Sequence, residues 1–295
     1  KKVDLGVQWM RTLKGIMETS KIEGAILLSE KIPAPSKSRT NLPSAKIQTL
    51  PIKGALSRKK PLPFEDLFLP MLKFARRSLL EKYREKDLPL TRTAYYQLER
   101  SLLGRLLALV NETALTEFQA TRPFHKTIQM MVLKTENKKP SRELYTAFIT
   151  KHVTEGYQTL FEKYPVIARL ISTTIDLWGD QAAEFLGRVQ KDRAELLKSQ
   201  TPKPVTDLQC DLSDPHHKGR TVYAMTFSGG EKWVYKPKPL NIEVAYLELL
   251  SWINGKGLSK PFRVLDVIAK KEYGWIEFVE HRACRSKKEA KDFYQ

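Results

Sequence analysis

The sequence predicts an α+β protein, in which a mostly helical N-terminal region precedes a small lobe of β-strands. Apolar residues recur at the three- and four-residue spacing of a helix face from Phe64 to Lys198. Beyond Pro202 the pattern changes to short runs of β-branched and aromatic residues, separated by glycine-containing turns. With 295 residues and a hydrophobic fraction of 41%, the chain can bury a core in two domains, or in one large domain with a helical extension.

The first 60 residues form a basic, proline-rich segment. They contain 13 Lys and Arg against 4 Asp and Glu, which gives them a net charge of +9 within a chain of net charge +18. Six prolines between residues 31 and 63 predict a mostly non-helical connection. We therefore expect three regions: the basic segment at 1–60, a helical region at 61–203 and a β lobe at 204–295.

Four stretches of helical spacing are predicted after the basic segment. The first runs from Phe64 to Leu79, with a kink expected at Pro70. The second, YYQLERSLLGRLLALVNETALTEF, is apolar around much of its circumference, so we expect it to lie between other helices. A third reaches about Lys163, where Pro165 ends it, and a fourth covers roughly residues 166–198 with an interruption near 179–180.

Two β-hairpins and a helix between them are predicted for the region 204–295. The extended runs RTVYAMTF and KWVYKP are joined by SGGE, in which Gly229-Gly230 supply positive φ. IEVAYLELLSWIN returns to helical spacing and ends at Gly255 or Gly257. FRVLDVIAKKEYGWIEFVE is predicted to be the second hairpin. This order of strands, helix and strands indicates a small nucleotide-binding lobe.

The net charge and the composition limit which kinds of partner and which cellular location we expect. A net charge of +18 could attract nucleic acid, anionic lipid or an acidic peptide, or it could be a solvated basic face. The basic residues are spaced by Pro, Ser and Thr rather than by aromatic stacking platforms, which argues against nucleic acid. The absence of a membrane-length apolar run and of a visible secretion signal, with only two cysteines, leads us to expect a cytoplasmic protein.

Lys236 is the candidate phosphate-binding cation of the β lobe. A lysine on the strand before a helix can neutralise the phosphates of a nucleotide, provided that an acid on the helix holds its ammonium in place. Glu243 and Glu248 both lie on the following helix, and the sequence does not choose between them. A solvated lysine at a strand end is the alternative, and Lys238 is a second candidate for the functional cation.

The stretch CDLSDPHHKGRTV is the candidate loop for proton chemistry. Asp214 and His216 are two residues apart, so one group can orient and the other can move protons near neutral pH. The loop lacks a second ligand cluster at zinc-site spacing, so no metal site is predicted. A surface turn at Asp214-Pro215 with no function remains the alternative.

Five stretches, in the same order, resemble the dehydratase domain of class II lanthipeptide synthetases, the LanM family. They are PLPFEDLFLPMLKFARRSL, YYQLERSLLGRLLALVNETALTEF, LFEKYPVIARLISTTIDLW with EFLGRVQKDRAEL, SDPHHKGRTVYAMTFSGGEKWVYKPKPL, and YGWIEFVEH. The resemblance covers about residues 61–295. It implies a lipid-kinase-like fold that uses ATP and Mg²⁺ to phosphorylate Ser and Thr of a precursor peptide with a leader. The phosphate is then eliminated to leave dehydroalanine or dehydrobutyrine.

The resemblance also assigns roles to individual residues. Lys236 matches the nucleotide-binding lysine, while Asp214 and His216 match the loop acid and histidine associated with phosphate elimination. Arg220 is a possible phosphate contact. The segment that resembles the hinge between lobes, where backbone groups hold the adenine, consists of Glu277, Phe278, Val279 and Glu280.

The sequence departs from the family pattern at two positions, and we also expect it to lack part of the family's domain. Ser213 stands where the family usually has Gly, and Lys238 where it usually has Arg. The sequence stops just after the hinge, so we expect the large lobe with its metal-binding residues, and the zinc cyclase domain, to be missing and these 295 residues to be inactive alone. The alternatives are a non-catalytic module that binds the leader peptide, and a basic nucleic-acid-binding protein.

Overall fold

The computed structural model describes residues 5–57, 59–121 and 142–294, and combines helices with a small antiparallel sheet. The helices are α1 (Leu5–Ser29), α2 (Ser44–Ile47), α3 (Leu69–Lys82), α4 (Arg92–Ala120), α5 (Glu143–Thr154), α6 (Gln158–Lys163), α7 (Pro165–Leu197), α8 (Asn241–Asn254) and α9 (Lys287–Phe293). The strands are β1 (Leu42–Pro43), β2 (Asp87–Leu88), β3 (Val205–Gln209), β4 (Tyr223–Phe227), β5 (Lys232–Lys236), β6 (Val267–Ala269) and β7 (Gly274–Glu277).

The helical core is built around α4, whose apolar residues are buried on several sides. Leu98, Leu102, Leu103 and Leu106 are all fully buried between α3, α7 and the short turns before α3. The prediction that this stretch lies between other elements is therefore confirmed. Thr91 starts the helix, because its side chain accepts a hydrogen bond from the backbone N–H of Ala94.

Helix α1 belongs to the same core, although it lies in the basic N-terminal segment. It packs against α3, α5 and α7, and it buries Ile16 and Leu27. The buried hydroxyl of Ser20 donates to the carbonyl of Val153 on α5. Residues 30–41, by contrast, contain no helix or strand, as the prolines predict.

Two predicted interruptions of helices are wrong, and in each case local geometry gives the reason. Pro70 occupies the first turn of α3, where a missing N–H costs nothing, so it introduces no kink. The preceding residues 65–68 form a separate 3₁₀ turn, after Phe64 with φ of 54°. Helix α7 passes through Gly179-Asp180 without a break, because its flanking apolar residues Trp178 and Ala182 are fully buried in the core.

The five-stranded sheet has the order β3–β4–β5–β7–β6, with every neighbouring pair antiparallel. Both predicted hairpins are confirmed: β4 turns into β5 through Gly230, which has φ of 94°, and β6 turns into β7 through residues 270–273. Gly229, for which positive φ is also predicted, does not have it. Helix α8 connects β5 to β6 and ends before Gly255.

The sheet is fixed to α4 and α7 by buried polar contacts. Gln97 on α4 donates to Asp207 and accepts from the N–H of Leu208, both on β3. On the other side, Trp233 donates its indole N–H to the carbonyl of Leu196. These contacts hold the sheet against the two long helices. No helix in the described ranges combines the length and hydrophobicity that a membrane crossing requires.

Candidate functional site

The predicted lysine and the predicted loop lie at the same end of the sheet. Lys236 is the last residue of β5, and the preceding Tyr235 pairs with Tyr223, the first residue of β4. The loop 210–222 connects β3 to β4 and so enters the sheet beside the end of β5. A small cavity lined by both Arg220 and Pro237 shows that the two segments adjoin. Residues far apart in sequence are thus neighbours in space.

Lys236 is paired with Glu243 in the first turn of α8. The distance from Lys236 Nζ to Glu243 Oε1 is 3.4 Å, and Lys238 Nζ lies 2.8 Å from the same oxygen. Burial alone would raise the pKa of Glu243, but the hydrogen bond from Lys238 and the charge of Lys236 lower it, so the carboxylate is ionised at neutral pH. Glu248, the alternative partner, is exposed further along the helix.

The loop that carries the two histidines is a tight hairpin with an unusual backbone. His216 and Arg220 exchange backbone hydrogen bonds of 2.9 and 2.7 Å. Between them His217, Lys218 and Gly219 all have positive φ, of 44°, 71° and 84°. Only glycine adopts this region without cost, so the two side chains before Gly219 are held in a strained conformation by contacts elsewhere.

Those contacts come from side chains that bind the three carbonyl groups of the turn. Arg220 Nη1 donates to the carbonyl of His217 at 2.7 Å, and Gln181 on α7 donates to that of Lys218. Arg105 on α4 donates to the carbonyl of Gly219 at 3.3 Å. The N–H groups of residues 217–219 have no hydrogen-bond partner within the described chain. Successive free N–H groups in such a turn form a concavity suited to an anion.

Arg105 also fixes the start of the loop through Asp211. Its Nε lies 3.2 Å from Asp211 Oδ1, which accepts a further hydrogen bond of 3.0 Å from the hydroxyl of Thr221. Both ends of the loop are therefore tied to one guanidinium on α4. Burial raises the pKa of the neighbouring Cys210 thiol, so this cysteine is not a nucleophile at neutral pH.

Arg220 is held mainly by an acid on α7. Its Nε and Nη2 form a bidentate pair with the carboxylate of Glu184, with 3.0 Å from Nε to Oε1. Together with the bond to the His217 carbonyl, three of its five N–H groups are used within the protein. The structure thus gives Arg220 a role in positioning the loop, and two N–H groups remain for a phosphate oxygen.

Asp214 and His216 are exposed at the outer face of the loop. The backbone carbonyl of Asp214 accepts a hydrogen bond of 3.2 Å from the Ser213 hydroxyl, while neither the Asp214 carboxylate nor the His216 imidazole forms a hydrogen bond or ion pair with another described residue. The structure places the two residues in one short loop but does not bring their side chains into a hydrogen bond with each other. Both groups are free to meet a substrate.

The predicted hinge leaves the sheet at the end of β7, beside the start of β5. The N–H of Glu277 donates to Asp266 and that of Phe278 to Lys232, so these two groups are used by the sheet itself. Val279 and Glu280 lie beyond the last strand and are exposed, with the Glu280 carboxylate on Lys232. Of the four predicted residues, only these last two have a backbone N–H without a hydrogen-bond partner among the described residues.

Sequence reasoning missed the side chains on the long helices that hold the loop. Arg105, Gln181 and Glu184 are separated from it by between 36 and 116 residues, so no local spacing connects them to it. The signal that could have found them is a polar residue on a helix face that is otherwise apolar. Among the described residues, no group of three His, Cys, Asp or Glu could hold a metal ion.

Comparison with known proteins gives two findings. Residues 164–295, which contain α7, the sheet and α8, match the model of DUF4135, described as a domain of unknown function. The chain is also similar to the lacticin 481/lactococcin biosynthesis protein LcnDR2 of Lactococcus lactis subsp. lactis, with 23% identity over 164 residues. That match covers 52% of this chain and only 18% of the relative, so the chain spans less than a fifth of the length of the protein it resembles.

Proposed function

We propose that this chain is part of a lanthipeptide-modifying enzyme, in which it binds ATP and carries the loop for phosphate elimination. The similarity to a protein named for lacticin 481 biosynthesis supports a role in lanthipeptide modification. The observation that carries the proposal is the Lys236–Glu243 pair at the end of the sheet where loop 210–222 lies. In protein kinases a lysine on the third strand pairs with a glutamate on the following helix, and a loop covers the phosphates.

The residues at this end of the sheet fit the triphosphate of ATP. Lys236 offers an ammonium that Glu243 orients, and the free N–H groups of residues 217–219 offer further donors to phosphate oxygens. The backbone of Val279 and Glu280 is proposed to hold the adenine. ATP supplies the phosphoryl group when bound, and Mg²⁺ is proposed to be held by segments outside this chain, since the described residues contain no group of three His, Cys, Asp or Glu that could hold a metal ion.

Elimination requires a base and a stabiliser for the departing phosphate. His216 or Asp214 removes the α-proton of a phosphorylated Ser or Thr residue, and that electron pair forms the Cα=Cβ bond. The Cβ–O bond then breaks, and inorganic phosphate leaves with the bonding electrons. Lys218 and the remaining N–H groups of Arg220 stabilise its charge. The product is dehydroalanine or dehydrobutyrine in the precursor peptide.

Nucleotide binding is tested on the chain itself. We expect a fluorescent ATP analogue to bind the 295-residue protein, and Lys236→Ala to weaken binding about tenfold or more, because a charged phosphate contact is lost. Lys260→Ala removes an exposed lysine charge elsewhere and serves as the control. Equal affinities of K236A and K260A would contradict the assignment of Lys236.

The role of the loop in elimination is tested in an enzyme preparation that modifies the precursor peptide. Asp214→Asn or His216→Ala is expected to accumulate phosphorylated peptide, detected by mass, because phosphorylation continues while elimination stops. If these variants accumulate unmodified peptide instead, the loop serves phosphorylation. If the 295-residue chain binds peptide but no nucleotide, the non-catalytic leader-binding module is the better description.

A further inference from the structure

An open groove lies at the opposite end of the sheet from Lys236. A cavity of about 490 Å³ is enclosed by the irregular segment 32–36, by residues 54–57 and by the start of α4. Its walls are largely apolar: Ile32, Pro33 and Pro35 on one side, with Leu56 and the ring of Tyr96 on the other. This volume accommodates several side chains of a ligand.

Hydrogen bonds and close packing fix the wall of the groove that is formed by α4 and residues 54–57. The Tyr96 hydroxyl donates to the carbonyl of Pro51 at 3.0 Å, and its ring lies against Gly54, where a Cβ atom would approach it to 1.9 Å. Arg100 donates to the carbonyls of Ala55 and Lys60 and so fixes the far rim. This wall is therefore formed in advance of any ligand, which reduces the entropic cost of binding.

A second cavity continues the first and makes the groove long. It has a volume of about 340 Å³, shares Ser36 and Thr93 with the first cavity, and extends to Ser228 and Gly230 at the turn between β4 and β5. An elongated groove of this kind suits an extended polypeptide better than a compact small molecule.

The charged residues that line the two cavities are all basic. Residues 31–60 contain eight Lys and Arg and no Asp or Glu. Lys59 and Arg92 line the first cavity, and Lys37 and Arg39 line the second; none of the four has an ion-pair partner among the described residues. The first turn of α4, which carries partial positive charge on its N–H groups, also lies in the wall.

We propose that this groove binds an acidic segment of a polypeptide in an extended conformation, with apolar side chains against Ile32, Leu56 and Tyr96 and carboxylates toward Lys59 and Arg92. That the segment belongs to the precursor peptide rests on the proposed function; the preference for an acidic chain rests on the groove alone. The groove and Lys236 lie at opposite ends of β5, about 15 Å apart for five strand residues. A bound segment thus stays clear of the Lys236–Glu243 pair while the same chain continues toward the loop.

The test is a fluorescence-anisotropy titration of the 295-residue chain without nucleotide. The probe is a labelled 20-residue peptide with alternating Leu and Glu, and the comparison probe replaces each Glu by Lys. We expect saturable binding of the acidic probe alone, weakened about tenfold by the double variant Lys59→Glu/Arg92→Glu. The matched control is Lys260→Glu/Lys271→Glu, which makes the same charge change at exposed positions outside the groove and is expected to leave affinity within about twofold.

Two results would overturn the proposal. Equal weakening by both double variants would show a non-specific attraction to net charge, and tighter binding of a 20-nucleotide single-stranded RNA than of the acidic peptide would assign the groove to nucleic acid. A parallel titration with the fluorescent ATP analogue separates this proposal from the proposed function, since groove variants leave nucleotide affinity unchanged and K236A leaves peptide affinity unchanged. Circular dichroism spectra confirm that each variant is folded.

Discussion

At the scale of single residues, the helical core contains a fully buried ion pair. Arg76 on α3 and Glu99 on α4 are 0% and 1% exposed, and the guanidinium binds both carboxylate oxygens, at 2.7 and 2.8 Å. Glu99 also accepts a hydrogen bond of 2.8 Å from Tyr95, and Arg76 donates to the carbonyl of Ile47. Because every group has a partner, the pair joins α3, α4 and the basic segment at one point.

Breaking this pair on one side is expected to be costly. Arg76→Met leaves the Glu99 carboxylate buried without a counter-charge, and we expect a loss of about 3–5 kcal/mol in the free energy of unfolding. The double variant Arg76→Met/Glu99→Leu leaves no buried charge and should recover much of that loss. Urea denaturation measures both, with Lys14→Ala at an exposed ion pair as the control with almost no effect. If the double variant is no more stable than R76M, the unpaired Glu99 carboxylate is not the cause of the loss.

His152 gives the core a dependence on pH. Its side chain packs against Phe148 with ring centroids 4.5 Å apart, it is buried, and its Nδ1 has no hydrogen-bond partner. Burial, with the nearby charge of Lys151, lowers the pKa of His152 in the folded state. Since the unfolded chain then binds a proton more readily, stability falls as the pH drops below about 6.5.

Replacing His152 should therefore reduce this loss of stability in acid. We expect His152→Leu to lose about 1 kcal/mol less than the parent protein between pH 7.5 and pH 5, measured by urea denaturation at each pH. His281→Gln, at an exposed position, is the control and should follow the parent protein. An identical pH dependence in H152L would show that other groups cause it.

At the scale of elements, α4 and α8 differ in burial: α4 is largely buried and α8 is exposed. Most apolar residues of α4 are fully buried, whereas α8 contains no buried residue at all. Ile242, Tyr246, Leu249 and Trp252 follow one face of α8 and are each at least half exposed. Helix α8 is thus positioned by its ends, through the Lys236–Glu243 pair and the hydrogen bonds of Asn254 to Phe262.

This difference predicts unequal effects of the same kind of substitution. Leu98→Ala on α4 should cost about 2–5 kcal/mol, because it leaves a cavity in a packed core. Leu249→Ala on α8 should cost less than about 0.5 kcal/mol, because the side chain is already in contact with water. Thermal and urea denaturation compare the two. A loss above about 1.5 kcal/mol for L249A would mean that another surface covers this face in solution.

At the scale of the whole molecule, the sheet and the helical core are joined through Asp192 on α7. This carboxylate is 4% exposed and accepts hydrogen bonds from the hydroxyl of Tyr273 and the indole N–H of Trp275, both at 2.8 Å. Lys270 Nζ lies 3.7 Å away. Arg188, one turn earlier on α7, stacks on the ring of Tyr273 at 4.1 Å.

Removing this connection is expected to destabilise both parts together. Asp192→Ala leaves two buried donors without an acceptor and should cost about 2–5 kcal/mol. Because the sheet packs directly on α7, we expect one unfolding transition, seen equally in tryptophan fluorescence and in helical circular dichroism. Asp180→Ala on the same helix, at a mostly exposed ion pair, is the control. Two separate transitions in D192A would show that the sheet and the helices unfold independently.

Much of the fold could be predicted from local pattern. The helical spacing of α4 and α7 and the hairpins around Gly230 and residues 270–273 are consequences of side-chain periodicity and turn chemistry, which act over a few residues. The errors at Pro70 and at Gly179-Asp180 have a common cause. A proline or glycine weakens a helix locally, but its position in the first turn, or burial of its neighbours, decides whether the helix breaks.

The sequence by itself determined the residue types of the candidate site: Lys236, two acids on the next helix, and the Asp214–His216 loop. Only the tertiary structure decided that Glu243 rather than Glu248 meets the lysine, and that the loop lies at the same end of the sheet. It also decided that Arg105, Gln181 and Glu184 hold the loop. The physical reason is that spacing along a strand or helix fixes which side chains share a face, whereas packing of distant elements fixes which faces meet.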